Sequence, residues 1–195
     1  VASAYFFGWF CSDGCVSSNS NCCSFHIHVR DSYILELFKN YIGSSHPVEI
    51  RGDYAHLRIY DPFLRESLIT HGCTPRKSLV IDFPDVPDKF LSHFLRGYFD
   101  GDGSIMINDP NTIKVQFLGS KQFVEKLQKL LNRILNLKLN KNRYSHMWQC
   151  LYYGKDARKL CKWIYNKCKN LYVKRKKKIF DKHVNRWHEI YGNKE

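Results

Sequence analysis

Acidic side chains, methionine and long apolar runs are all scarce in this chain of 195 residues. No apolar stretch approaches the about 18 residues that a bilayer crossing needs, which excludes a membrane-spanning helix. The first ten residues are apolar but lack a basic leader and a cleavage pattern, so they read as structure and not as a signal peptide. The start at Val1 instead of Met is read as processing, trimming or excision from a longer chain. Eight cysteines are present, yet none forms a CxxC or a paired zinc spacing. The expectation is free thiols in a reducing intracellular compartment, several of them buried, as Cys11 and Cys161 are placed to be. Acids are outnumbered, 18 Asp and Glu against 31 Lys and Arg, a net charge of +13. The excess is one-sided: residues 1–90 hold 8 basic against 10 acidic residues, and residues 91–195 hold 23 against 8. Such a balance implies a polyanionic partner, nucleic acid by default.

The stretch from Phe94 to Ser104, FLRGYFDGDGS, is the most informative. Leu95, Tyr98 and Phe99 fall at i, i+3 and i+4, a helical face. Gly97 and Gly101 lie four apart, one above the other, and each costs a helix interior about 1 kcal/mol. Two on one face imply that another backbone approaches closely there. Gly103 is expected to end the helix in the left-handed conformation, leaving Asp102 at the C-terminus. A carboxylate is disfavoured at that negative end, so something cationic should sit there, a divalent metal most simply.

The pattern occurs once more, in Phe6–Gly14, with Gly8 and Ser12 as the small pair and Asp13 at the end. Asp102 and Asp13 are 102 − 13 = 89 residues apart, which suggests two related halves. If the small faces pack together, Asp13 and Asp102 end side by side, and their mutual repulsion demands a metal or a proton. Periodicity along the rest of each half gives helix, strand pair, helix, strand pair, helix. The Pro-rich Phe83–Pro87 links the halves, dividing the chain into 1–87 and 88–195. Expected strands include Cys22–Arg30, Tyr54–Tyr60, Thr112–Leu118, Leu137–Leu139 and Met147–Tyr153. Their alternation leaves His26, His28, Arg30, His56, Arg58, Lys114, Gln116, Lys138 and Gln149 on a free sheet face, suited to reading base edges in a major groove. Lys141 and Arg143 in the following turn, and Lys174 and Arg175 in a run of five basic residues, join them as candidate DNA contacts.

This constellation resembles the LAGLIDADG homing endonuclease family, in its form with two motifs on one chain. The resemblance implies an α+β fold of two pseudo-symmetric αββαββα halves, forming a β-sheet saddle over double-stranded DNA. It implies a sequence-specific, Mg2+-dependent endonuclease that acts as a monomer with an internal pseudo-twofold. Mn2+ would substitute, and Ca2+ would bind without efficient cutting. Asp13 and Asp102 would hold metal, because Mg2+ needs few carboxylates beside waters and phosphate oxygens. Lys77 and Lys176, each in an Arg-Lys pair late in its half, would be the basic residues near the metals, with Lys174 and Lys177 as rivals. The first motif departs from the family in having Cys11 where an acid is common. Two other classes stay open: a maturase acting on intron RNA, and a non-cutting DNA-binding regulator. A protein-splicing unit is disfavoured, because Val1 is no nucleophile and the end, Asn193-Lys194-Glu195, lacks a His-Asn pair.

Overall fold

The computed structural model describes residues 1–109 and 112–192; the side chains of residues 108, 109, 141, 142 and 191 lie outside that description. The first half runs α1 (Ala2–Cys11), β1 (Gly14–Val16), β2 (Cys22–His28), α2 (Tyr33–Ile42), β3 (Val48–Arg51), β4 (Tyr54–Tyr60) and α3 (Pro62–Thr70). The second repeats the order as α4 (Asp88–Asp102), β5 (Ser104–Asp109), β6 (Thr112–Gly119), α5 (Lys121–Leu135), β7 (Lys141–Tyr144), β8 (Met147–Tyr153) and α6 (Gly154–Tyr165). It then adds α7 (Lys174–Tyr191), where the first half has only a 3-10 turn over Lys77–Leu79. Each half folds its strands into one antiparallel sheet, ordered β1-β2-β4-β3 and β5-β6-β8-β7.

Alternation decides which sheet face is covered. Cys23, Phe25 and Ile27 of β2 and Ala55, Leu57 and Ile59 of β4 are buried, as are Ile113, Val115 and Phe117 of β6. The helices pack on that side, and the opposite face of each sheet stays open. At the centre α1 lies against α4, each burying aromatic residues such as Trp9, Phe10, Phe94 and Phe99. Burial of each such side chain contributes about 1.5–3 kcal/mol.

The closeness of α1 and α4 is set by glycine, and it is reciprocal. A Cβ on Gly8 would lie 2.1 Å from the Phe94 carbonyl oxygen and 2.7 Å from the Tyr98 nitrogen. A Cβ on Gly97 would lie 1.9 Å from the Tyr5 carbonyl oxygen and 3.1 Å from the Trp9 nitrogen. These partners are related by one shift: 97 − 8, 94 − 5 and 98 − 9 all equal 89. The repeat seen in the sequence is therefore a pseudo-twofold in space.

The loops that close the halves rest on residues related by the same shift. Residues following the 3-10 turn lean on α5: Ser120 Oγ donates to the Ile81 carbonyl, Gln122 Nε2 to the Val80 carbonyl, and Lys126 pairs with Asp82. Residues before and at the start of α7 lean on α2: Tyr33 Oη donates to the Tyr172 carbonyl and accepts from the Lys174 N–H, and Arg175 pairs with the buried Asp31 at 2.9 Å. Asp31 and Ser120, like Tyr33 and Gln122, differ by 89 (120 − 31 and 122 − 33).

Two sequence expectations change. Gly103 is not left-handed: its φ of −82° and ψ of 157° suit any residue. Space selects it instead, because a Cβ there would lie 2.2 Å from the Phe99 ring and 2.5 Å from the Phe99 carbonyl oxygen. Gly14 meets Phe10 in the same way. The strand expected at Leu137–Leu139 is β7, beginning at Lys141; Tyr144 pairs with Met147 across a turn in which Ser145 takes φ 55°.

Candidate active site

Because α1 and α4 touch at their glycines, their C-termini converge. The position of a Gly101 Cβ lies 2.1 Å from Ser12 Oγ and 3.2 Å from Asp13 Oδ2, so Asp13 stands against the last turn of α4, next to Asp102. Burial raises both carboxyls. Asp102 is pushed up to about 6, first by desolvation and then by the negative charge of Asp13, against the pull of Lys77 and Lys176. Asp13 is raised by desolvation, with Lys176 and Lys77 opposing. An acid pair in this condition favours a bound cation or a shared proton.

The cations expected at the helix C-termini are present as lysines. Lys176 is 3% exposed, and its Nζ donates to the carbonyl oxygens of Phe99 (2.6 Å), Asp100 (2.7 Å), Gly101 (3.3 Å) and Gly103 (2.6 Å). Lys77 is 6% exposed and donates to the carbonyls of Ser12, at 3.1 Å, and Gly14. Each ammonium closes the negative end of a motif helix and satisfies carbonyls that a terminus leaves free. Burial lowers Lys176 to about 8, with Asp100 the chief opposing charge.

Behind the two carboxylates the halves differ. Asp100 is 1% exposed; its Oδ2 accepts from Tyr5 Oη at 2.9 Å and from the Val173 N–H at 2.8 Å. Desolvation pushes it up to about 6 against Lys176, Val173 and Tyr5. Arg96, fully buried beside it, donates to the carbonyls of Leu171 (2.6 Å) and Ile164 (2.8 Å) and lies over the Tyr5 ring. In the first half the position of Asp100 is taken by Cys11 (100 − 89 = 11), which hydrogen-bonds Cys73. The Cys73 thiol also donates to the Phe10 carbonyl at 3.3 Å, and burial raises Cys11. Sequence reasoning placed the aspartates and both lysines but missed this supporting layer, for which the only signal was an acid replaced by Cys11. All eight cysteines are free thiols, six of them buried.

The open sheet faces carry most of the expected polar residues. His26 pairs with His56 and Ser24 with Arg58; Lys114 pairs with Tyr153, Gln116 with Leu151, and Gln149 with Leu118. His28 shares the phase of His26. Ser104 Oγ donates to Gln116 Oε1 at 3.1 Å, and Gln116 Nε2 to Gln149 Oε1 at 2.6 Å, a row of one hydroxyl and two amides across three strands. Tyr54, Tyr60, Glu49 and Arg51 face the same way as His56, and the Tyr54–Tyr60 alternation had already contained the two tyrosines. Other expected positions lie elsewhere. Arg30 is in a 3-10 turn, because β2 stops at His28, whose Nδ1 accepts from the Arg30 N–H. Lys138 is in the loop before β7. Arg143 pairs with Trp148, one step out of phase with Gln149, so it takes the helix side. Lys174 and Arg175 brace α7 on Tyr33 and Asp31. The Lys141 side chain lies outside the described ones.

Two glycine-faced helices that end in neighbouring carboxylates are thus set against two four-stranded sheets, and the fold as a whole is one shared with solved LAGLIDADG meganucleases. Residues 89–165, from α4 through α6, match the family model of the LAGLIDADG-like domain. Among solved structures, the LAGLIDADG meganuclease I-AabMI bound to uncleaved DNA superposes with a TM-score of 0.68 at 13% identity, over 97% of this chain and 92% of that one. I-SmaMI, bound to an uncleaved DNA target in the presence of calcium ions, gives 0.67 at 14%, over 97% and 92%. The LAGLIDADG homing endonuclease I-GzeII in complex with its DNA target gives 0.66 at 10%, over 96% and 90%. No curated protein matches the chain in sequence. The likeness read from the two motifs is thus one of fold along the whole described chain. No described helix is long and apolar enough to cross a membrane.

Proposed function

We propose that the chain is a sequence-specific DNA endonuclease that uses a divalent metal, Mg2+ first, to hydrolyse one phosphodiester in each strand of a long asymmetric site. The observation that carries this reading is the reciprocal packing of α1 on α4, which sets Asp13 beside Asp102 with a buried lysine beneath each. The DNA complexes of its fold neighbours support duplex DNA as the substrate, and the calcium-containing complex of I-SmaMI supports a divalent ion.

The donor set fits such an ion: two hard carboxylates, both raised by burial, side by side and without an ammonium of their own, since Lys77 and Lys176 donate to carbonyls. When bound, the metal would supply an activated water and charge relief at the phosphate. Asp13 and Asp102 would hold it, one on each side of the pseudo-twofold, so that each strand meets one carboxylate. Lys77 and Lys176 fix the ends of α1 and α4 and add positive potential near the scissile phosphates. His26, His28, His56, Arg58, Lys114, Gln116 and Gln149 would face the groove. Two inequivalent halves, divided at 87/88 on one chain, account for an asymmetric site and a monomer.

The test is cleavage of a randomised duplex library with Mg2+, with EDTA and with Ca2+, followed by sequencing of the ends. Mg2+-dependent cuts at one long motif, absent in both Asp13→Asn and Asp102→Asn, are expected. Specific retention of duplex without cutting would make the protein a binder instead.

A further inference from the structure

The open face of the first sheet differs from that of the second in one respect that the overall charge conceals. Its half of the chain is acidic on balance, yet three of the nine histidines of the chain, His26, His28 and His56, lie on this face. His26 and His56 are directly paired across β2 and β4, and their rings stack with centroids 4.2 Å apart and planes 16° apart. Tyr54 flanks the stack at 4.5 Å from His26. The charged and titratable groups facing it are His28 on β2, Tyr54 and Arg58 on β4, and Glu49 and Arg51 on β3. Glu49, cross-strand from His56, is also engaged by Arg51 at 2.6 Å and by Arg58 at 3.5 Å, so its pull on the imidazole is shared with two guanidinium groups. His56 is held below its ordinary value, by desolvation first and then by His26, Arg51 and Arg58.

Two stacked imidazoles can share one added proton, the cationic ring resting on the neutral one, but not two, because like charges at this spacing repel. A neutral imidazole offers one donor and one acceptor; the protonated ring offers donors only. We propose that the His26–His56 stack is a proton-linked contact, taking up one proton when it meets hydrogen-bond acceptors on DNA, either phosphate oxygens or the N7/O6 edge of guanine. This rests on the reading of the open faces as the DNA-binding surface. It gives the first half a pH-dependent grip and a preference for acceptor edges that the amide row of the second half lacks.

The wild-type protein tests it without mutation. Duplexes enriched from a random-sequence pool in EDTA are titrated calorimetrically in buffers of different ionisation enthalpy, and Kd is followed from pH about 5.5 to about 8. Affinity is expected to weaken up to about tenfold per pH unit for the one proton involved, with net uptake approaching one proton per complex. His26→Gln with His56→Gln removes that proton from the balance, while any contribution from Asp13 and Asp102 persists in both proteins. Substituting guanine by 7-deazaguanine removes N7 and keeps O6: loss of the linkage points to N7 of the base edge, and persistence to O6 or phosphate, which substituting guanine by adenine, whose exocyclic group at that position is a donor, then separates. Tight duplex binding with an equal pH slope in wild type and variant would overturn the proposal. Absence of duplex binding at every pH would instead overturn the functional reading beneath it.

Discussion

Behind Asp13 the first half places two thiols, Cys11 and Cys73; behind Asp102 the second half places a buried carboxylate, Asp100, tied to Tyr5 and to the chain at Val173. Both arrangements do one job: they bind the lysine-bearing segment to the motif helix whose end that lysine closes. The thiol pair does so with weak donors and acceptors, and Lys77 reaches two carbonyls. The carboxylate does so with charge-assisted bonds, which are about twice as strong, and Lys176 reaches four. A pseudo-twofold in backbone thus coexists with an asymmetric interior, and the second site is the more firmly held.

The largest effects should be the symmetric ones. Asp13→Asn and Asp102→Asn are each expected to lower double-strand cleavage by about a thousandfold or more while duplex binding survives. A gel assay that separates nicked from linear product checks both, and a large difference between them would break the symmetry at the carboxylates. Gly8→Ala and Gly97→Ala should each cost about 3 kcal/mol or more, because the added Cβ meets backbone that cannot give way. Equal losses in urea midpoint would confirm that the crossing is reciprocal. Lys176→Met should then destabilise more than Lys77→Met, by about 1–2 kcal/mol, since it strands more buried carbonyls.

The smallest predicted difference concerns pH. Asp100 sits above its unfolded value, so the folded state binds its proton more tightly than the unfolded chain does. Its contribution to stability is complete below pH about 4 and is lost as pH rises through about 6. Denaturant melts across that window should show the loss in the wild type and a shallower one in Asp100→Asn, with Asp102 retaining its own share. Burial raises the Cys11 thiol further above that window, and Cys11→Ala should leave the slope alone.

Much of this was legible in the sequence, for a local reason. The glycine pairs, the terminal aspartates and the 89-residue repeat are properties of single helices, and a helix states its contact face in its own spacing. Lys77 and Lys176 were legible only as an internal correspondence. That their ammonium groups would point into helix ends depends on two loops whose course no periodicity describes. Arg96, Asp100 and Tyr5 read as ordinary members of motif helices until the α1–α4 crossing brings them together. The strand placement of Lys138 and the turn placement of Arg143 both failed because a two-residue turn at Ser145 fixes the register of β7, and serine at φ 55° is a weak turn signal.

The crossed bracing of the halves bears on how such chains can be recombined. Each lysine stands just before or just after a segment that rests on the opposite half: residues 80–82 on α5, and residues 172–175 on α2. A hybrid spliced at Pro87 from two parents would inherit each lysine together with a segment fitted to a helix it no longer meets. The transferable unit is not the contiguous half but the half together with the other's α2 or α5 contact residues. Chimeras that carry Asp31 and Tyr33, or Ser120 and Gln122, along with the foreign partner's segment should tolerate exchange where simple fusions do not.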